Sequence, residues 1–172
     1  MKKLLTALTV LALPAAVFAA DNQPGVYVQG DVGAVFVSVN DEIKTKPIPH
    51  IAVGYDTGDV RIAADYQRIR FKELGDTYAL QGAGVTVIKD FNTNSIVKPY
   101  VGARLGLNRI SLKSNSEKYS KTKAGFSALG GVGFEITPNV NLDLGYRFNY
   151  LGGNEAFNTQ YSELTAGVRV KF

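Results

Sequence analysis

The 172-residue chain contains no cysteine, no tryptophan and a single histidine, His50. Disulfide bonds are therefore excluded, and so are the clusters of cysteine and histidine that bind zinc and other transition metals. A hydrolase that used His50 as its base would need a nucleophile beside it. The next residue on the same strand face is Ala52, and there is no G-x-S-x-G motif nearby. We expect no cofactor and no catalytic activity.

Long hydrophobic runs are also missing, with one exception at the N-terminus. Apolar residues 4–13 follow two lysines, Lys2 and Lys3, and precede a tail of small side chains. This order is typical of a secretory signal peptide, and the apolar run is shorter than the about 20 residues of a transmembrane helix. We predict a signal peptide over residues 1–19, cleaved after Ala19.

The remaining residues, 20–172, show no break in composition and predict a single domain. Removing Lys2 and Lys3 with the signal peptide takes two positive charges away and lowers the net charge from +4 to +2. So small a charge on an exported protein does not indicate a nucleic-acid partner.

Apolar and polar residues alternate along this domain, and no stretch shows the 3.6-residue period of a helix. In the last segment Leu164, Val168 and Phe172 share one face. Glu163 and Arg169 share the other. Turn-forming residues separate the alternating segments. Eight strands are predicted, over residues 25–38, 47–57, 59–71, 78–91, 97–111, 122–136, 140–151 and 161–172.

The predicted connections alternate in length. Tight turns rich in Gly, Pro, Asn and Asp lie at residues 57–59, 92–95 and 137–139. Longer and more polar connections lie at residues 39–46, 70–77, 112–121 and 151–160. Long extracellular loops and short periplasmic turns on an even number of strands are typical of outer-membrane barrels.

Two opposite burial schemes fit the alternation. A soluble barrel or sandwich would bury its apolar faces, whereas a membrane barrel would turn them to lipid and its charges inward. The signal peptide, the alternating connections and the terminal Phe172 favour the second scheme. We predict an all-β fold, an eight-stranded antiparallel transmembrane β-barrel with four short extracellular loops and tight periplasmic turns, in the outer membrane. Phe172 is predicted to be the terminal signature recognised during barrel assembly.

Inward-facing charges would fill the lumen of this barrel, because eight strands leave room for little more than side chains. One antiparallel register would place Asp143 opposite Arg169 and Arg147 opposite Glu163 at nearly matching depth. Inward glycines on strands four to six would leave space for the long arginine side chains. A charge-paired plug and a narrow ion or solute path both remain open. The predicted network comprises Asp31, Asp65, Arg104, Asp143, Arg147, Glu163 and Arg169.

Four stretches resemble a known family. Residues 61–66, Val97 to Arg109, Thr137 to Arg147 and Glu163 to Phe172 are similar to the opacity-protein family of eight-stranded outer-membrane barrels. The resemblance implies a non-enzymatic surface protein of the opacity-porin type. It also implies extracellular loops that contact host receptors, glycans or serum proteins, and some members of the family lie against lipopolysaccharide.

Two extracellular segments are candidate binding sites. One is basic and could bind lipid A phosphates or sulfated host glycans, although a solvated loop with lysines for solubility fits equally; it contains Arg109, Lys113, Lys118, Lys121 and Lys123. The other is apolar and contains Leu151, Phe157 and Tyr161.

We expect a monomer that acts as an adhesion or host- and lipid-interaction protein through these loops. The expected partners are outer-membrane lipid and lipopolysaccharide, with host glycans, serum proteins or receptors as candidates. A narrow porin, or a structural component of the outer membrane, is the alternative.

Overall fold

The computed structural model describes residues 24–39, 42–73, 76–113, 118–152 and 159–172. The predicted signal peptide lies outside these residues. Within them, no helix is long and apolar enough to span a membrane.

Eight antiparallel strands form a closed barrel, in which each strand pairs with its neighbours in sequence and β1 pairs with β8. Closure leaves no strand edge unpaired. The predicted fold class and strand number are therefore confirmed. The strands are β1 (Gly25–Val39), β2 (Glu42–Asp56), β3 (Val60–Glu73), β4 (Asp76–Asp90), β5 (Val97–Lys113), β6 (Lys118–Thr137), β7 (Val140–Leu151) and β8 (Thr159–Lys171).

The strands extend further on the extracellular side than predicted. β2 begins at Glu42, where the sequence analysis placed a loop, and its pairing with β1 continues to Val39. β5 and β6 remain paired as far as Lys113 and Lys118. The predicted alternation of long and short connections was therefore wrong in detail, because most of the polar residues assigned to long loops belong to strands. Beyond the membrane a strand no longer needs an apolar face, so polar composition does not mark its end.

The barrel is apolar outside and polar inside. Leu105 and Leu107 on the outer face are 67% and 62% exposed, whereas the inward side chains of Arg61, Arg104 and Glu163 are 1%, 1% and 0% exposed. A soluble barrel would show the opposite distribution. The membrane scheme predicted from the sequence is therefore confirmed, and the outer face is the one that lipid covers.

The periplasmic turn between β2 and β3 is closed by specific contacts. Gly58 has a φ of 98°, a left-handed conformation that glycine adopts at no steric cost. Its amide donates to Asp56 Oδ1 over 2.8 Å. Lys89 Nζ donates to Asp59 Oδ2 over 2.9 Å, and this hydrogen bond holds the pKa of Asp59 below its usual value. The turn is thereby joined to β4.

Candidate functional site

The periplasmic half of the lumen is built around Arg61 on β3. Its Nε and Nη2 atoms donate to the two carboxylate oxygens of Asp90 over 2.6 and 2.7 Å. Its Nη1 lies 3.8 Å from Asp143 Oδ2. The guanidinium carbon lies 5.1 Å from the centre of the Tyr100 ring, within the range of a cation–π interaction. The carboxylates of Asp90 and Asp143 thus both lie against the guanidinium of Arg61, which is almost fully buried.

Asp143 on β7 receives Arg61 from across the lumen and connects it to Arg169 on the neighbouring strand β8. Arg169 Nε and Nη2 lie 3.1 and 3.4 Å from the Asp143 oxygens. Arg169 Nη1 is also 3.8 Å from Asp56 Oδ2, and Lys171 Nζ is 3.9 Å from the same oxygen. Acidic and basic groups therefore alternate from one wall of the lumen to the other, and the charges balance.

A single register of β7 and β8 brings both predicted ion pairs together. Arg147 lies directly opposite Glu163. Asp143 lies opposite Gly167, two residues from Arg169, so the second pair is diagonal and at nearly matching depth. The long side chain of Arg169 spans this offset.

A second cluster surrounds Glu163 in the extracellular half. Arg147 Nη1 donates to His50 Nδ1 over 2.9 Å, and His50 Nε2 donates to Glu163 Oε2 over 3.2 Å. Only the neutral imidazole with its proton on Nε2 satisfies both contacts. Asn149 donates to Glu163 Oε1 over 3.1 Å, and Arg147 Nη1 lies 3.7 Å from the same oxygen. Both nitrogens of the single histidine are therefore engaged in a structural network.

A third cluster joins β3, β4 and β5. Arg104 Nε donates to Asp65 Oδ1 over 2.6 Å, and Thr86 Oγ1 donates to Asp65 Oδ2 over 2.7 Å. Arg104 lies on β5 and Asp65 on β3, so the guanidinium crosses β4 to reach its partner. It crosses at a glycine, since a Cβ placed on Gly84 would lie 2.8 Å from the Arg104 guanidinium carbon. The predicted role of the inward glycines is confirmed at this position.

A methyl group at Gly84 should displace the Arg104 guanidinium from Asp65. We expect Gly84→Ala to lower the free energy of unfolding by about 1–3 kcal/mol, the usual cost of overpacking a filled interior. Gly130→Ala is the matched control, because a Cβ at Gly130 meets nothing closer than 3.5 Å. Its effect should stay within about 0.5 kcal/mol. The measurement is the urea midpoint of the refolded barrel in detergent micelles, and equal midpoints for the two variants would contradict the expectation.

Removing one partner of the Asp65–Arg104 pair should leave a buried charge alone. We expect Asp65→Asn and Arg104→Gln each to lower the free energy of unfolding by about 3–5 kcal/mol. The double variant should be less destabilised than the sum of the two single effects by about 2 kcal/mol. Urea unfolding of the four proteins gives this coupling directly, and strictly additive effects would show that the two groups do not stabilise each other.

Asp31 differs from the other members of the predicted network. It is buried and accepts a hydrogen bond from Gln29 over 3.4 Å, but within the described part of the chain no ion pair includes it and its Oδ1 has no hydrogen-bond partner. Two small cavities flank it, and both are lined by Asp31 and Arg147. Each holds water-sized space beside the charged groups of Asp31 and Arg147, which fits an ordered water molecule that would hydrate this carboxylate.

The sequence analysis did not assign several members of the network. Asp56 and Asp90 end their strands next to turns, where acidic residues are common for reasons unrelated to the lumen. His50 was considered as a possible catalytic base. The sequence signal available for all of these residues was strand parity, by which we mean that every second residue of a strand points to the same face. Each of them shares a face with residues that were predicted to point inward. The missed members are Asp56, Arg61, Asp90, His50 and Lys171.

The five residues of the predicted basic loop lie on strands β5 and β6 and not in a loop. Arg109 faces outward and donates to Ser120 Oγ over 3.0 Å, and Lys121 is exposed at the extracellular rim. Lys123 is only 7% exposed, because it shares the inward face of β6. Lys113 and Lys118 are paired across the two strands, and the described part of the structure does not extend to their side chains.

The predicted apolar contact loop does not form a surface among the described residues. Leu151 is 3% exposed and faces the lumen. The hydroxyl group of Tyr161 is buried, and the residue lies opposite Asn149 on the inward face. Strand parity explains the error, because both residues continue the inward rows of β7 and β8. Phe157 lies outside the described residues.

The described residues at the two ends of the barrel include no metal centre. In the described ranges, no group of three or more His, Asp or Glu side chains is placed to hold a metal ion. Phe172 is half exposed at the end of β8, and its amide donates to the carbonyl of Val26 over 2.9 Å. Its role in assembly stays a prediction.

Comparison with known proteins gives a consistent result. The family model described as opacity family porin protein matches residues 53–172. Opacity protein opA51 of Neisseria gonorrhoeae is 30% identical over 188 residues, covering 76% of this chain and 80% of the relative. The crystal structure of neisserial surface protein A is 41% identical, with a TM-score of 0.73, and the match covers 86% of this chain and 97% of that one. The N-terminal barrel domain of Pseudomonas aeruginosa OprF, at 17% identity and a TM-score of 0.62, shares the fold, and the match covers 87% of this chain and 100% of that one.

Proposed function

Because the chain belongs to the opacity family of outer-membrane β-barrel proteins, we propose that it is a non-enzymatic surface protein for adhesion or host interaction. In this proposal the barrel is a closed scaffold, and the extracellular ends of its strands are the contact surface. Export by the predicted signal peptide over residues 1–19 is part of the proposal. The observation that carries it is the separation of two groups of charges. Paired charges fill the lumen, and unlike them the lysines at the extracellular ends of β5 and β6, here called the basic hairpin, lie beyond the membrane.

The filled lumen supports a scaffold rather than a pore. Three clusters of paired polar side chains lie in the lumen, and Arg61, Arg104 and Glu163 within them are almost fully buried. The two cavities described beside Asp31 and Arg147 are small. An ion that entered would have to displace side chains whose charges are already neutralised. A narrow porin is the second candidate, supported by the two small cavities beside Asp31.

Conductance separates these two candidates. We expect the wild-type protein in a planar bilayer to show no steady conductance steps, and the variant Arg104→Ser with Arg147→Ser to show small ones, because both side chains cross the lumen. Arg68→Ser is the control, since that residue faces outward. A large wild-type conductance would support the porin.

The basic hairpin supports binding of an anionic partner. β5 and β6 remain paired as far as Lys113 and Lys118, so the ends of these two strands form a hairpin whose cations lie beyond the apolar band. Lys121 is exposed at its rim. A cationic projection on an otherwise closed barrel attracts polyanions by long-range electrostatics, which salt weakens. Sulfated glycans on host surfaces are partners of suitable charge.

Charge reversal tests the hairpin. Replacing Lys113, Lys118 and Lys121 by Glu should reduce binding of heparin to cells that display the protein by at least tenfold, and binding of the unaltered protein should weaken as salt is raised. The same three positions replaced by Arg keep the charge and should keep binding. Heparin binding that survives the reversal would remove the hairpin as a contact surface.

A further inference from the structure

Three arginines face outward on one sector of the barrel wall. Arg68 and Arg70 lie on β3 and Arg109 lies on β5, and all three are exposed. The strand register brings two of them into one transverse row, since Arg68 is opposite Gln81 and Gln81 is opposite Arg109. Directly opposed residues of antiparallel strands point to the same side of the sheet. About 10 Å of wall, two strand spacings, therefore separates Arg68 from Arg109.

The outward apolar residues on the periplasmic side of this row show where it lies relative to the membrane. The next row toward the periplasm contains Tyr66 and Leu107, which are 40% and 62% exposed on the outer face. On β5 the outward apolar residues run from Pro99 to Leu107, which at about 3.3 Å per residue and a tilt of about 40° spans roughly 20 Å. That length is close to the apolar band of roughly 25 Å in such barrels. Arg109 is the first outward residue above the band.

No acidic group among the described side chains neutralises this patch from the same face. Among the described side chains, the outward neighbours on β3 to β6 above the apolar band are neutral. Arg109 is held in place by its hydrogen bond to Ser120 Oγ, and Thr122 lies directly opposite it. The only outward cation described at the periplasmic end, Lys89, is instead paired with Asp59. The arginines thus form an uncompensated positive patch at one border of the membrane.

We propose that Arg68, Arg70 and Arg109 bind the phosphate groups of lipid A in the outer leaflet. Arginine suits this position because its guanidinium is weakly hydrated, matches a phosphate with two parallel hydrogen bonds, and can extend from an apolar wall toward the headgroups. The site differs from the hairpin contact surface, because its side chains point into the lipid boundary and not into the extracellular medium. It would fix the barrel to individual lipid molecules on one side.

Lipid binding by the refolded full-length protein in detergent micelles tests the site. The probes are bisphosphoryl lipid A, the same lipid with both phosphates removed, and inorganic phosphate, each scored by the dissociation constant and by the rise in urea midpoint. We expect bisphosphoryl lipid A to bind, the dephosphorylated lipid to bind at least tenfold more weakly, and free phosphate to have no effect. The variant with Arg68, Arg70 and Arg109 replaced by Gln should lose at least tenfold in affinity for bisphosphoryl lipid A.

The matched control removes the same number of charges from the hairpin. Replacing Lys113, Lys118 and Lys121 by Gln should leave lipid A affinity within twofold of the wild type while weakening heparin binding. If the arginine variant keeps its affinity for lipid A, or if the dephosphorylated lipid binds equally well, the wall site is overturned. Loss of heparin binding alone would bear only on the hairpin, so the two proposals can fail separately.

Discussion

Polar side chains that meet over a glycine, across an intervening strand, are the interaction on which this barrel depends. Asp65 and Arg104 come together over Gly84, as shown above. His50 and Glu163 do the same on either side of β1, where a Cβ on Gly33 would collide with the Glu163 carboxylate. Because lipid covers the outer face, the charged side chains point into a narrow lumen, where most of those described are compensated by a partner of opposite charge.

The same constraint explains the composition of the inner wall. An eight-stranded barrel is too narrow to hold a long side chain from every strand at one level. Long side chains therefore alternate with glycines on the inner wall. Gln67, Gly82 and Asn108 show this in a single row of β3, β4 and β5, where the amide of Gln67 donates to Asn108 Oδ1 over 3.0 Å above the glycine. The glycines are therefore part of the polar network, and substituting them should act on stability through the ion pairs.

Strand parity carried most of what could be predicted from the sequence. It identified the eight strands, the polar interior and the pairing of Arg147 with Glu163. It could not predict the contact between Arg61 and Asp143. That contact joins β3 to β7 and depends on how the closed barrel places distant strands, not on the register of one strand pair. Parity also contradicts the predicted apolar contact loop, since Leu151 and Tyr161 continue inward rows. Amino-acid composition gave the wrong strand ends on the extracellular side, where polar strand residues were interpreted as loops. Backbone pairing continues beyond the lipid there, whatever the side chains are.

Parity also sorts the cations at the extracellular border into two groups with different surroundings. Arg68, Arg70 and Arg109 lie on the outward face next to the apolar band, Lys113 and Lys118 follow farther out along β5 and β6, and Lys121 and Lys123 lie on the inward face of β6. Outward positions next to the band meet lipid headgroups, where a weakly hydrated, bidentate donor is favoured, and positions beyond it meet water, where a compact and strongly hydrated ammonium is favoured. A shift of one residue in either strand would exchange the two environments. The register that pairs the lumen charges therefore also decides which cations face the lipid and which face the medium.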